Sequence, residues 1–566
     1  MNTVIASPIA ASESHLSNTP KLVIGGGPLS ISKIAAVAAG APVELSKDAR
    51  VREAIAASRD FIRGALAENR PIYGVTTSFG GMADRVVPPE VASDLQTTLV
   101  WSHKAGAGER IPAADVRAAM LLRANSLAMG ISGIRAELIE RFEIFLNEGV
   151  TPHVREFGSI GASGDQVPLA CIAGALAGLS PRFRVDWKGQ AMESPAILAQ
   201  LGLKPVVFEA KEGLALINGT SVTTGIAANC VQRARRAFAL AIGAHALFLQ
   251  ALSASNQAFH PFIHIHKAHP GQRWTASQML RLLDGSQLSR DELCGQKEHR
   301  SGQLIQDRYS VRCLPQFLGP IADALTTIAG QVEVEASSVT DNPLIDAAHG
   351  AAYHCGNFLS QYIGTGMDQL RYHMGMLAKH VDVQIALLVS PEFNNGLPPS
   401  LVGNGARPVN TGLKALQLTA NSMMPVLGFY GNSLADRFPT HAEQFNQNLN
   451  SQGFGSANLT RRALGILEEY LAVALVFAVQ AVDLRTHAVS GHYDSRATLS
   501  PATRPLYEAV HAAAGRPASA ERPLVWDDRD QFLEEVAAGV ATGLSRPGPI
   551  GASVEEIFSS LAQHRV

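Results

Sequence analysis

The run Gly158-Ser159-Ile160-Gly161-Ala162-Ser163-Gly164-Asp165 places glycines at 158, 161 and 164 and is followed by Pro168. This spacing predicts a tightly turned backbone in place of helix or strand. A surface loop is the plainest reading. Ala162-Ser163-Gly164 allows a sharper one, because it has the minimum side chains for a backbone cyclisation. The Gly164 nitrogen can approach the Ala162 carbonyl unobstructed, and loss of water from Ser163 would leave an electrophilic methylidene. Four imidazoles at His260, His264, His266 and His269 could in principle bind zinc. Intervening prolines and the lack of a partnered Cys or Asp argue against that, and no metal is expected.

The elements that must position such a loop read as helical. Val51 to Ala67, Ala113 to Leu127 and Arg135 to Leu146 carry apolar residues at helical spacing. Thr220 to Ser253, Asn357 to Ser390 and Leu459 to Leu484 lack proline and keep small or apolar residues throughout, as long bundle helices do. Strand signals are confined to Leu22 to Ile24 and a hairpin around Arg184 to Ala191. Ser500 to Pro523 reads as a break before a last helix from Asp528 to Thr542. The expectation is a mainly α chain: a tail over 1–20, a loop-rich domain over 21–215, a long-helix bundle over 216–490 and a helical segment over 491–566.

Apolar residues make up 46% of the 566 and charged residues 17%, less charge than an ordinary globular surface uses, so other subunits are expected to cover part of it. The net charge of -2 and the absence of a Lys/Arg stripe argue against nucleic acid and anionic membranes, leaving a small molecule as the default ligand. Cys171, Cys230, Cys294, Cys313 and Cys355 show no CxxC spacing, which points to a reducing, cytoplasmic setting. Residues 1 to 20 lack a basic start before an apolar block. The most apolar later stretch, Leu471 to Val479, is too short to span a bilayer, so neither export nor insertion is expected.

GSIGASGDQVPLA at Gly158 to Ala170 resembles the prosthetic-group loop of the histidine, phenylalanine and tyrosine ammonia-lyases. It is accompanied in order by PIYGVTTSFG at Pro71 to Gly80, EGLALINGTS at Glu212 to Ser221, IQDRYSVRCLPQ at Ile305 to Gln316, SSVTDNPL at Ser337 to Leu344, HCGNF at His354 to Phe358 and AEQFNQNLNSQG at Ala442 to Gly453. The resemblance runs from about Lys21 to the C-terminus. It implies a long-helix bundle of the fumarase and aspartase type, assembled as a homotetramer with shared active sites, and a 4-methylidene-imidazole-5-one (MIO) group made from Ala162, Ser163 and Gly164. The substrate amine would add to that electrophile, a base would take the β-proton, and a trans-arylacrylate and ammonia would leave.

The same resemblance assigns roles. Tyr73 matches the catalytic base, a task that requires nearby donors or cations to lower its pKa, and its Gly-flanked loop could serve as a lid. Tyr309 matches the second essential tyrosine. Arg312 matches the carboxylate grip, which suits a guanidinium fork. Asn218 and Gln306 resemble the amides at the MIO oxygen and the carboxylate region, and Asn342 another carboxylate-side amide. Lys414 and Glu443 match polar groups near the amine or the tyrosines, and Phe358 an active-site aromatic.

Ring selectivity in the family sits in a pair matched here by Ser102-His103, where phenylalanine lyases typically carry Phe-Leu. An imidazole at the far end of the ring would be left unpaired by phenylalanine, at about 1–3 kcal/mol, whereas a para-hydroxyl could bond to it. Histidine lyases share Ser-His but carry Glu where Gln447 stands. Together these favour L-tyrosine going to trans-4-coumarate, with phenylalanine or mixed use as the alternative and histidine lyase or aminomutase activity behind them. Three departures from the family pattern stand out: Gln166 for Leu, Ser78 for Gly, and Cys355 for the first Gly of His-Gly-Gly-Asn-Phe. Gln166 could add a polar contact near the ring, and Cys355 could narrow the pocket.

Overall fold

The computed structural model describes residues 21–295, 304–437, 440–529, 532–545 and 548–566, so the expected tail over 1–20 lies outside the described residues. Helix accounts for 57% and strand for 7%, which makes the chain mainly α. It forms two compact units, each assembled from separated stretches. One comprises the chain up to Asn229, Glu333–Gln361 and the stretch ending at Phe454; the other holds Cys230–Val332, the stretch beginning at Tyr362, and Gly455–Val566.

In the first unit, helices Ala49–Ala67, Ala113–Ala128 and Ala136–Glu148 form where apolar periodicity predicts them. Ala113–Ala128 is buried on every face from Asp115 onward, as befits a central core helix. Its Arg123 is fully buried and donates to the carbonyls of Thr340 (2.9 Å) and Ala215 (2.6 Å). One guanidinium thereby ties the loop at Thr340 to the short helix Glu212–Ile217, which is distant from it in sequence. Leu22–Ile24 pairs in parallel with Val43–Leu45, and the expected hairpin is Arg184–Trp187 with Gln190–Glu193.

Long helices dominate the second unit: Gln361–Val389 and Gly453–Ser490 arise in the proline-free stretches, as does Ser221–Ala251, which begins in the first unit. Leu314–Ala336 and Lys414–Tyr430 were not expected, because Pro320 and Pro425 lie inside them. Proline removes one hydrogen bond and crowds one turn, and in Leu314–Ala336 burial of the helix face outweighs that cost. The expected break at 500–523 likewise contains a helix, Arg504–Ala513, with Pro505 in its first turn, where a missing N–H costs nothing.

Glu212–Ala251 and Gly453–Ser490 are long and apolar enough to cross a membrane, a correction to the expectation from Leu471 to Val479 alone. Their most apolar windows are 94% and 78% buried within the protein, as core helices are.

Candidate active site

The glycine-rich loop turns as its composition requires. Gly161 and Gly164 have φ of +66° and +72°, and a Cβ on Gly164 would lie 2.4 Å from the Gly219 carbonyl oxygen. Only glycine fits there, so Gly164 is held against the Asn218-Gly219 turn. Ser159 Oγ donates to the Gly164 carbonyl (3.0 Å), and the Ser451 amide and hydroxyl both donate to the Gly161 carbonyl, at 3.1 and 3.0 Å. Asp165 is fully buried and accepts from the amide and hydroxyl of Thr223 at 2.7 and 2.6 Å. Burial pushes its carboxyl up to about 6, partly offset by the Thr223 and Ser159 hydrogen bonds.

A cavity of about 320 Å³ opens over this loop, lined by Ala162 and Ser163 together with Tyr73, Asn218, Asn342, Phe358 and Gln447. Residues from five separated stretches thus meet at the tripeptide. Gln447 Nε2 donates to Ser163 Oγ at 3.1 Å, holding the hydroxyl that a dehydration would remove. Asn218 Nδ2 donates to the Asn342 carbonyl (3.2 Å), while its Oδ1 is buried without a hydrogen-bond partner among the described residues. Asn342 Oδ1 in turn accepts from the Cys355 amide at 2.7 Å.

Tyr73 lines the cavity. Burial, and secondarily Glu443, raise its pKa, opposed by the Gly80 amide that donates to its hydroxyl oxygen at 2.9 Å. Among the described residues no cation contributes to lowering it. Its loop is anchored, because Ile72 and Val75 are core residues and Gln96 Nε2 donates to the Gly74 carbonyl (2.8 Å). Glu443 lies beside Gly80, where any Cβ would collide with its carboxylate. It begins a left-handed run, Glu443-Gln444-Phe445, with φ of 49°, 51° and 64°, a costly backbone for residues that carry side chains.

Ser102 and His103 sit at the C-terminus of helix Ala92–Ser102 and do not line the cavity. His103 Nδ1 donates to the Leu99 carbonyl at 2.8 Å, which leaves Nε2 as an acceptor. One nitrogen of the imidazole is thus met by its own helix, and Nε2 makes no hydrogen bond among the described residues. Gln306, Tyr309, Arg312 and Lys414 belong to the second unit and are not among the lining residues. There the Arg312 guanidinium stands 4.7 Å over the Tyr309 ring, with no carboxylate partner among the described residues.

Of the departures, Ser78 needs no glycine conformation, the positive φ values of its loop falling at Gly74 and Gly80. Gln166 and Cys355 do not line the cavity, and the Cys355 thiol donates to the Asp341 carbonyl at 3.4 Å. His264 uses both ring nitrogens on Ala258 and Gln272, and no metal-holding group of His, Cys, Asp or Glu occurs among the described residues.

The sequence reading passed over the pair behind the cavity. Lys211 Nζ and Asp341 Oδ2 are 2.8 Å apart and fully buried, and Asp341 Oδ1 accepts the Asn342 amide at 2.7 Å. Lys211 immediately precedes one quoted motif and Asp341 lies within another. A charge pair at such positions was the available signal.

A helical chain that gathers an Ala-Ser-Gly loop under tyrosine and amide side chains has the build of a carbon-nitrogen lyase. The family model for aromatic amino acid lyases matches residues 29–512, and the chain belongs to that family. It is 58% identical over 541 residues to a phenylalanine ammonia-lyase of Nostoc punctiforme, covering 95% of each chain. It is 50% identical over 546 residues to an aromatic ammonia-lyase of Loktanella atrilutea, covering 96% of this chain and all of the other. A tyrosine aminomutase of Streptomyces globisporus, described as MIO-dependent, is 35% identical over 465 residues, covering 80% of this chain and 84% of its own. Its crystal structure superposes with a TM-score of 0.83 at 31% identity, covering 96% and 99% of the two chains.

Proposed function

We propose that this chain eliminates ammonia from aromatic L-α-amino acids, with phenylalanine, giving trans-cinnamate, as the principal substrate and tyrosine as a second one. The observation that carries the elimination is the cavity in which Ser163, held by Gln447, faces Tyr73 and the unpartnered Asn218 oxygen. MIO, once formed from Ala162, Ser163 and Gly164, would supply the electrophile that makes the amine a leaving group. Asn218 Oδ1 receives an amine hydrogen, and Phe358 offers a face to the aromatic ring. Tyr73 accepts the β-proton as its phenolate, formed once a cation beside its oxygen lets the phenol release its own proton to solvent.

The high identity to a phenylalanine ammonia-lyase supports phenylalanine. The second reading, tyrosine, is favoured by His103, whose Nε2 is free to accept a para-hydroxyl proton. We propose further that the chain works as a homotetramer in the cytoplasm, Tyr309, Gln306, Arg312 and Lys414 reaching each site from neighbouring copies. Exposed aromatic residues support self-association: Tyr362 and Tyr372 on helix Gln361–Val389 are 70% and 56% exposed, and Phe429 on Lys414–Tyr430 is 77% exposed.

The deciding experiment offers phenylalanine, tyrosine and histidine in parallel to wild type and His103→Phe, following arylacrylate absorbance. Phenylalanine preferred by wild type, with tyrosine turnover lost in the variant, is the expected result. Tyrosine preferred by wild type would reverse the order of substrates, and β-amino acid products would make the chain an aminomutase.

A further inference from the structure

The first unit carries a second concavity, of about 210 Å³, whose lining is strongly basic and shares no residue with the cavity above. Lys104, His153, Arg155, Arg182 and Arg184 converge there around the buried thiol of Cys171, and no acidic side chain lines it. Local structure places them: Arg155 begins one strand and Arg184 another, and the His153 amide donates to the Arg184 carbonyl at 2.9 Å.

Two of the five meet carboxylates. Arg184 meets Glu193 at 3.5 Å, and His153 donates to Asp186 at 2.7 Å, a carboxylate that Arg110 shares. Arg155 donates to the Gly108 carbonyl, and the Lys104 ammonium lies 5.4 Å from the Phe183 ring centre. Among the described residues, Lys104, Arg155 and Arg182 have no recorded carboxylate partner. The chain as a whole carries a net charge of -2, so no general excess of cations explains the cluster. Like charges held this close repel, and an anion seated between them turns that repulsion into attraction.

We propose that this concavity binds a small phosphorylated anion, a free pyrophosphate or the diphosphate of a nucleotide. Guanidinium forks match the oxygens of a phosphoryl group in pairs, and several cations around so small a volume call for several negative charges on few atoms. Lys104 directly follows Ser102-His103, so occupancy would bear on the segment that carries both. The site stands on its own geometry and does not depend on which amino acid the enzyme consumes.

Calorimetric titration of the full-length protein with sodium pyrophosphate at low ionic strength tests it, beside Arg155→Gln/Arg182→Gln and Arg182→Gln alone. Saturable binding by wild type, at least about tenfold weaker in the double variant, is expected. Among the described residues the Arg182 side chain makes no hydrogen bond, so the single variant stays informative if the double one folds poorly. ADP binding more tightly than pyrophosphate would assign the phosphate to a nucleotide, and equal binding would assign it to the free anion. No saturable heat from wild type, or binding unchanged in both variants, overturns the proposal.

Discussion

Replacing Lys211 with methionine keeps the stem of the side chain and deletes the charge that Asp341 faces. Both partners are fully buried and 2.8 Å apart, so the carboxylate would be left without a cation. Breaking a buried pair from one side costs about 3–5 kcal/mol. Lys211 also holds a left-handed backbone (φ +75°), a strain its ion pair helps to maintain. Burial without a partner favours the neutral carboxyl over the carboxylate, so the loss grows as pH rises and Lys211→Met should be less impaired at pH 5 than at pH 8. The assay is chemical denaturation followed by circular dichroism at fixed protein concentration, since assembly contributes to stability. Adding Asp341→Asn should recover much of the loss, because a neutral amide can be buried and still accept the Asn342 amide. A single variant within about 1 kcal/mol of wild type at pH 8, with full activity, would refute the reasoning.

Gln447→Leu removes the donor to Ser163 Oγ and should slow formation of the electrophile about fivefold, read as the dehydrated fraction by intact mass shortly after synthesis. Gln384 Nε2 donates to the Ser310 carbonyl at 2.6 Å inside the Tyr309–Arg312 turn, so Gln384→Leu should lower kcat/KM about tenfold while the far-ultraviolet spectrum stays unchanged. His380 is pushed down to about 4 by burial, and His245, 4.7 Å away, is held well below its ordinary range for the same reason. Below pH ~6.5 the unfolded chain binds protons that the folded one refuses, so stability falls as pH drops from there towards 4, by on the order of 3 kcal/mol for His380. Melting curves across that range should show a shallower acid limb for His380→Met; an identical limb would count against a neutral buried imidazole.

Much of the scaffold was legible because long proline-free runs have few alternatives to a buried helix. Gln361–Val389 and Gly453–Ser490 were visible for that reason. Leu314–Ala336 was not, since a local rule about proline cannot weigh the burial that overrides it. The reactive tripeptide was readable from its glycines, and the motifs around it named most of the cavity lining. The sequence could not show that Arg123 ties the Thr340 and Ala215 carbonyls together, that Lys211 pairs with Asp341, or that His103 spends a nitrogen on its own helix. Each depends on what a side chain meets more than a turn away, or on a rotamer that composition does not encode.

Two core helices that would pass as membrane spans leave a mark on how this protein must be made. Until Glu212–Ala251 and Gly453–Ser490 find their packing partners, the emerging polypeptide displays long greasy segments to the ribosome's surroundings. Chaperone capture of the nascent chain, and the growth temperature at which it is produced, should therefore govern the yield of active protein as strongly as its final stability does.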